Sequence, residues 1–143
     1  MNQNSIETAL HEIATGQRPS TDLFVQYDDR HGLWGGMCLW LSGDGHFERH
    51  QQERGAPEAS VTRGPVPPDD TRALASLLLD LQAWRQATPD RAPFPDESRA
   101  TLTIHIGDTA VSIWEWVNEL AGNGRIIRIR DRMLATAVGT NSG

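Results

Sequence analysis

Two runs of alternating apolar and polar residues, each turned back on itself at glycine, restrict this chain more than anything else in it. The first is GLWGGMCLWLS (32–42), leading through Gly43-Asp44-Gly45 into HFERHQQE (46–53). The second is ATLTIHIGD (100–108), turning at Gly107-Asp108 into TAVSIWEWVN (109–118). A period of two sends alternate side chains to opposite faces of a strand, and a tight turn makes its two arms antiparallel. A chain with two such units and no strand–helix–strand alternation builds an antiparallel sheet, not a Rossmann-type one.

The turn of the first hairpin decides which side chains share a face. With a three-residue Gly43-Asp44-Gly45 turn, Ser42 pairs with His46 and the ladder continues Leu41–Phe47, Trp40–Glu48, Leu39–Arg49 and Cys38–His50. Met37, Leu39, Leu41 and Phe47 then form one face. Trp34, Cys38, Trp40, His46, Glu48 and His50 form the other. A two-residue turn would set a carboxylate and two imidazoles among the leucines, which is costly without partners, so the three-residue turn is expected. Gly35-Gly36 inside the first arm signals a bulge or a close backbone approach.

Helical spacing appears in three other places. Residues 5–15 carry Ile6, Leu10 and Ile13 behind a capping Asn4 or Ser5 and end at Gly16 and Pro19. Pro67-Pro68-Asp69-Asp70 opens a helix over 69–85 with Leu74, Leu77, Leu78, Leu81 and Trp84 as its stripe. Residues 125–138 place Ile126, Ile129, Met133 and Ala137 on one helical face, although IIRIR also fits a strand. DLFVQYDD (22–29) and SVTRG (60–64) read as further strands, and ATPDRAPFPDES (87–98) as a proline loop bridging helix to sheet. The expected fold class is α+β: an antiparallel sheet of two hairpins plus an N-terminal strand, with about three helices on one face. At 143 residues it is one domain, 1–143, with short flexible tails near 1–4 and 139–143.

Composition removes several chemistries. All thirteen basic residues are arginine, so a Schiff-base, general-base or P-loop lysine is impossible. One cysteine, Cys38, excludes an internal disulfide and a multi-cysteine metal site. A net charge of −6 disfavours nucleic acid and anionic membrane as partners. The Arg125, Arg128, Arg130 and Arg132 cluster is expected to pair with the chain's own surplus acids. The N-terminus has no signal-peptide pattern and no apolar run spans a bilayer, so the expected location is cytoplasmic.

Candidate chemistry concentrates on the first hairpin. His46 and His50 lie about 13 Å apart along a strand, too far to converge on one metal; His46 with Glu48 would chelate only if His31, Asp29 or His105 came near. His50 lies across from Cys38, yet a mid-strand cysteine is more commonly an inert buried group, and no nucleophile elbow occurs. No catalytic residue, metal or cofactor is therefore assigned. Trp114 and Trp116 share one face of the second hairpin, as Trp34 and Trp40 do in the first. If helices cover only one side of the sheet, the other bears Trp34, Trp40, His46, Glu48, His50, Trp114 and Trp116, a set suited to binding a protein partner.

The layout from the first hairpin, through the Pro-Asp-Asp helix with its leucine stripe, to Pro95-Asp96-Glu97 and the strand Leu102-Thr103-Ile104-His105-Ile106 resembles small bacterial single-domain proteins. It is also similar to emfourin, a bacterial inhibitor of metallopeptidases. The resemblance spans roughly residues 32–108 and leaves the first helix unmatched. It implies a domain that binds proteins rather than one that catalyses. The expected function is thus a non-enzymatic inhibitor or immunity-type partner. The alternative is a metal-dependent enzyme or small-ligand protein using the His/Glu face.

Overall fold

The computed structural model describes residues 3–31, 35–55, 58–137 and 140–141. The strands are β1 (Leu23–Asp28), β2 (Gly36–Ser42), β3 (His46–Gln52), β4 (Ser60–Pro65), β5 (Arg99–Ile106), β6 (Thr109–Trp116) and the two-residue β7 (Thr140–Asn141). The helices are α1 (Gln3–Thr15), α2 (Pro68–Asp80) and α3 (Gly124–Thr136). The strands form one sheet in the order β6-β5-β1-β2-β3-β4-β7, every neighbouring pair antiparallel. β1 lies between β5 and β2, the meander β2–β4 extends to one side, and α2 carries the chain back so that the β5–β6 hairpin adds on the other.

Alternation in the sequence becomes burial in the fold. Leu23, Val25 and Tyr27 of β1 align with Leu39 and Leu41 of β2 and with Leu102, Ile104 and Ile106 of β5, all on one side and all buried. Phe47 of β3 and Ile113 of β6 extend this apolar floor. Ile6, Leu10 and Ile13 of α1, Leu74 and Leu78 of α2, and Ile126, Ile129 and Met133 of α3 close over it. The fold is α+β with its helices on one face, as the hairpin and helix patterns require. No described helix is long and apolar enough to cross a membrane.

The first hairpin has the three-residue register, Ser42 opposite His46 and Cys38 opposite His50. Gly45 takes φ +113° in the turn, and the Gly43 amide donates to the Leu23 carbonyl at 2.7 Å, tying the turn to the start of β1. Gly35-Gly36 is a close backbone approach. A Cβ on Gly36 would lie 2.7 Å from both the carbonyl and a carboxylate oxygen of Asp29.

Two expectations need correction. The helix foreseen over 69–85 stops at Asp80; Gln82 turns left-handed (φ 48°), and Ala83–Arg85 forms a separate 3-10 turn. That turn swings Ala83 and Trp84 into the core, while Arg125 Nε donates to the Leu81 carbonyl at 2.8 Å and satisfies an end of α2 that has no glycine cap. Trp84 is thus buried beside the helical stripe rather than on it. Arg125 also serves a carbonyl and not one of the chain's acids. The last segment is helical, its Ile126 amide capped by Asn123 Oδ1.

Candidate binding face

The core takes one parity of β1, β2, β5 and β6, with Phe47 of β3, and the other parity forms a second, open face. Across it, neighbouring strands align Ser112, Thr103, Gln26, Trp40, Glu48 and Arg63 in one row, and Trp114, Thr101, Asp28, Cys38, His50 and Val61 in the next. Among the described residues no helix packs on this face, and its side chains are half-buried or exposed except for Cys38 and Trp116.

Each aromatic ring on the face is held by a cationic or imidazole partner. The Trp40 ring stacks on His50 at 5.2 Å, and His50 Nε2 lies 3.0 Å from Glu48 Oε1. Glu48 Oε1 also accepts from Arg63 Nη2 at 2.8 Å. Burial pushes the Glu48 carboxyl up, but the hydrogen bonds from His50 and Arg63 outweigh it and hold it below its usual range, ionised. Toward the other edge of the same face the Arg99 guanidinium sits 4.0 Å over the Trp114 ring, which meets Trp116 edge-on at 4.7 Å. Phe24 packs edge-on against His105 at 5.9 Å.

Between the aromatics lies a polar depression of about 440 Å³ formed by Gln26, Asp28, Arg30, Arg99, Thr101 and Thr103. Arg30 grips Asp28 with two hydrogen bonds of 3.1 Å. A second hollow, about 580 Å³, opens beside Trp40, His46, Glu48, Arg63 and Pro65.

The expected site residues distribute as follows. Trp40, His46, Glu48, His50 and Trp114 share the open face, in the parity the hairpins imply. Trp116 points the same way but is covered: the proline loop folds over it, and Trp116 Nε1 donates to the Arg91 carbonyl at 3.3 Å. Trp34 lies outside the described residues. The loop is itself fastened by Arg91, which binds Glu97 with two hydrogen bonds of 2.8 and 2.7 Å and stacks on Phe94 at 4.3 Å. The Arg91 guanidinium, with the Phe94 amide, outweighs burial and lowers the Glu97 carboxyl to about 2.

The histidines do not converge. His46 is exposed with Asp44 3.6 Å away. His105 sits three strands from His46 in the same row, about 14 Å at ordinary strand spacing. His31 lines a separate cleft of about 470 Å³ with Asp29 and Glu97. There Asp29 is occupied by the Met37 amide (2.8 Å) and the Tyr27 hydroxyl (2.7 Å). No group of three or more His, Cys, Asp and Glu among the described residues is disposed to hold a metal ion. Cys38 accepts from Gln26 Nε2 at 3.4 Å, while His50 turns to Glu48. Burial, reinforced by Asp28, raises the thiol, the reverse of what a nucleophile needs.

Sequence reasoning missed Arg99, Arg63, Phe24, Gln26 and Asp28. The signal was present: the parity argument applied to the hairpin, extended to β1 and β5, assigns all but Arg63 to this face. No protein-family model matches the sequence, and no curated protein matches it significantly.

Proposed function

We propose that the chain is a non-enzymatic protein-binding module, an inhibitor or immunity-type partner, that docks through the open face of its sheet. The observation that carries this reading is the arrangement of Trp40, Trp114 and Arg99 around a polar floor. Tryptophan and arginine are enriched among the residues that carry the binding energy of protein interfaces, and an indole contributes large contact area on only two rotatable bonds. Here the aromatics are already fixed in place by His50 and Arg99. Asp28 and Glu48 are neutralised by Arg30 and Arg63. Arg99 directs its charge onto tryptophan rings, which favours a partner presenting an acidic side chain beside an apolar one.

The test is affinity capture from the encoding organism with three proteins: wild type, the Trp40→Ala/Trp114→Ala double variant, and Arg128→Ala on the exposed side of α3. A partner retained by wild type and Arg128→Ala but lost by the double variant supports the face. A partner retained equally by all three removes it.

A further inference from the structure

Among the described residues, one edge of the sheet has no strand paired to it. β4 is flanked by β7, but among the described residues β6 pairs only with β5. An unpaired edge is normally blunted by a bulge, a proline or a charge. β6, Thr-Ala-Val-Ser-Ile-Trp-Glu-Trp, has neither bulge nor proline. Its one charge, Glu115, points to the helix side, where it accepts from Asn123 Nδ2 at 3.1 Å.

Hydrogen-bond parity identifies the free groups. The two-residue turn makes Ile106–Thr109 a hydrogen-bonded pair, and the Val117 amide donates to the Ser98 carbonyl at the other end of the ladder. Residues 109, 111, 113 and 115 therefore bond inward to β5, and the N–H and C=O groups of Ala110, Ser112, Trp114 and Trp116 point outward. The Trp116 amide is already taken by Glu115 Oε1 at 2.9 Å. Ala110, Ser112 and Trp114 remain, a run symmetric about Ser112.

We infer that β6 pairs antiparallel with β6 of a second copy of this chain, about a two-fold axis through Ser112. Ala110 then faces Trp114 of the other copy, so three outward residues from each strand close six hydrogen bonds. Side-chain sizes fit this register: the smallest residue of the strand lies opposite the indole, and serine meets serine on the axis. On the helix side Val111 faces Ile113 and Thr109 faces Glu115, so no like charges oppose each other. Sliding by one pair would put Ala110 against Trp116, whose N–H is taken. The two-fold stands perpendicular to the sheet and leaves both open faces on the same side, so pairing extends the proposed binding face across both copies.

A single strand pair lies at the weak end of specific interfaces, so association is read by sedimentation from a few μM to protein concentrations on the order of 200 μM. Wild type is expected to pass from monomer to dimer across this range. Ser112→Arg sets two guanidiniums against each other on the axis and is expected to weaken the dimer by about tenfold or more. Ser112 is exposed, so this variant should fold, as circular dichroism will verify. In a Cys38→Ser background, Ser112→Cys brings two Cα atoms about 5.5 Å apart and should cross-link under mild oxidation. Ala110→Cys, about 14 Å from its counterpart, should not. Wild type monomeric throughout, a dimer indifferent to Ser112→Arg, or faster cross-linking at 110 than at 112 would each overturn the pairing. The first result would leave the edge to an extended peptide of another protein. None of these outcomes depends on Trp40 or Arg99, so this inference and the binding-face proposal fail separately.

Discussion

Replacing Gly36 with alanine tests the point where the first hairpin is fastened to the rest of the sheet. Gly36 begins β2 at φ +131°, a region that side-chain-bearing residues rarely occupy. An added Cβ would lie 2.7 Å from the Asp29 carbonyl oxygen, 2.7 Å from Asp29 Oδ1 and 2.9 Å from the Arg30 Cα. Two of these atoms are backbone, so no rotamer change relieves the overlap. The Asp29 carboxylate cannot withdraw freely either, since it holds the Met37 amide and the Tyr27 hydroxyl. Backbone strain of about 1–3 kcal/mol and overpacking of about 1–3 kcal/mol together give a loss of about 4 kcal/mol. Gly16→Ala is the internal standard, because Gly16 also has positive φ (+83°) but its Cβ would meet nothing within 4 Å. It isolates the backbone contribution, about 1–2 kcal/mol. Urea unfolding followed by tryptophan fluorescence, extrapolated linearly to water, gives both values. If Gly36→Ala is no more destabilising than Gly16→Ala, the close approach does not constrain the fold and the reasoning fails.

Tyr27→Phe removes the hydroxyl that donates to Asp29 at 2.7 Å; the part-buried carboxylate left behind should cost about 1–3 kcal/mol in the same urea assay. Glu97 ionises near 4.3 in an unfolded chain and near 2 in the fold, so its charge stabilises the native state above about pH 4.3. That contribution disappears as pH falls toward 2. Thermal melts of wild type and Glu97→Gln should therefore differ most near neutral pH and converge through this window. A constant difference down to pH 2 would show that the Arg91 pairing does not stabilise the fold. Cys38 should resist a thiol reagent at pH 8 in the native protein and react fully in urea, because burial both blocks it and raises its ionisation; rapid native labelling would contradict this.

What could be read before folding was whatever depends on period and turn length. Counting residues in Gly43-Asp44-Gly45 sufficed to set His46, Glu48 and His50 on one side and Phe47 on the other, because a one-residue slip would have moved every side chain to the opposite face. The end of α2 was not legible in this way. Its stripe continues through Leu81 to Trp84, while the Arg125 guanidinium that takes the Leu81 carbonyl at the turn lies 44 residues on. The covering of Trp116 was hidden for the same reason. Parity assigned the correct face, but it carries no information about a loop that returns from residue 91 to lie over that face.

The same limit accounts for the residues of the candidate face that were overlooked. A strand's own alternation states which side chains travel together, whereas pairing order determines which meet across the sheet. Arg99 and Trp114 lie on adjoining strands and meet diagonally, since Arg99 is opposite Trp116 and Thr101 is opposite Trp114. Trp40 and His50 meet diagonally in the first hairpin, one residue pair removed from Cys38–His50. In both hairpins a long cationic or imidazole group thus crosses to the tryptophan beside its direct partner. Each indole face is thereby partly withdrawn from water. This lets the chain display tryptophans on a sheet surface without the continuous apolar patch that would otherwise drive nonspecific association. It also means that a partner using these rings must match a charge as well as an apolar surface, which is a source of selectivity.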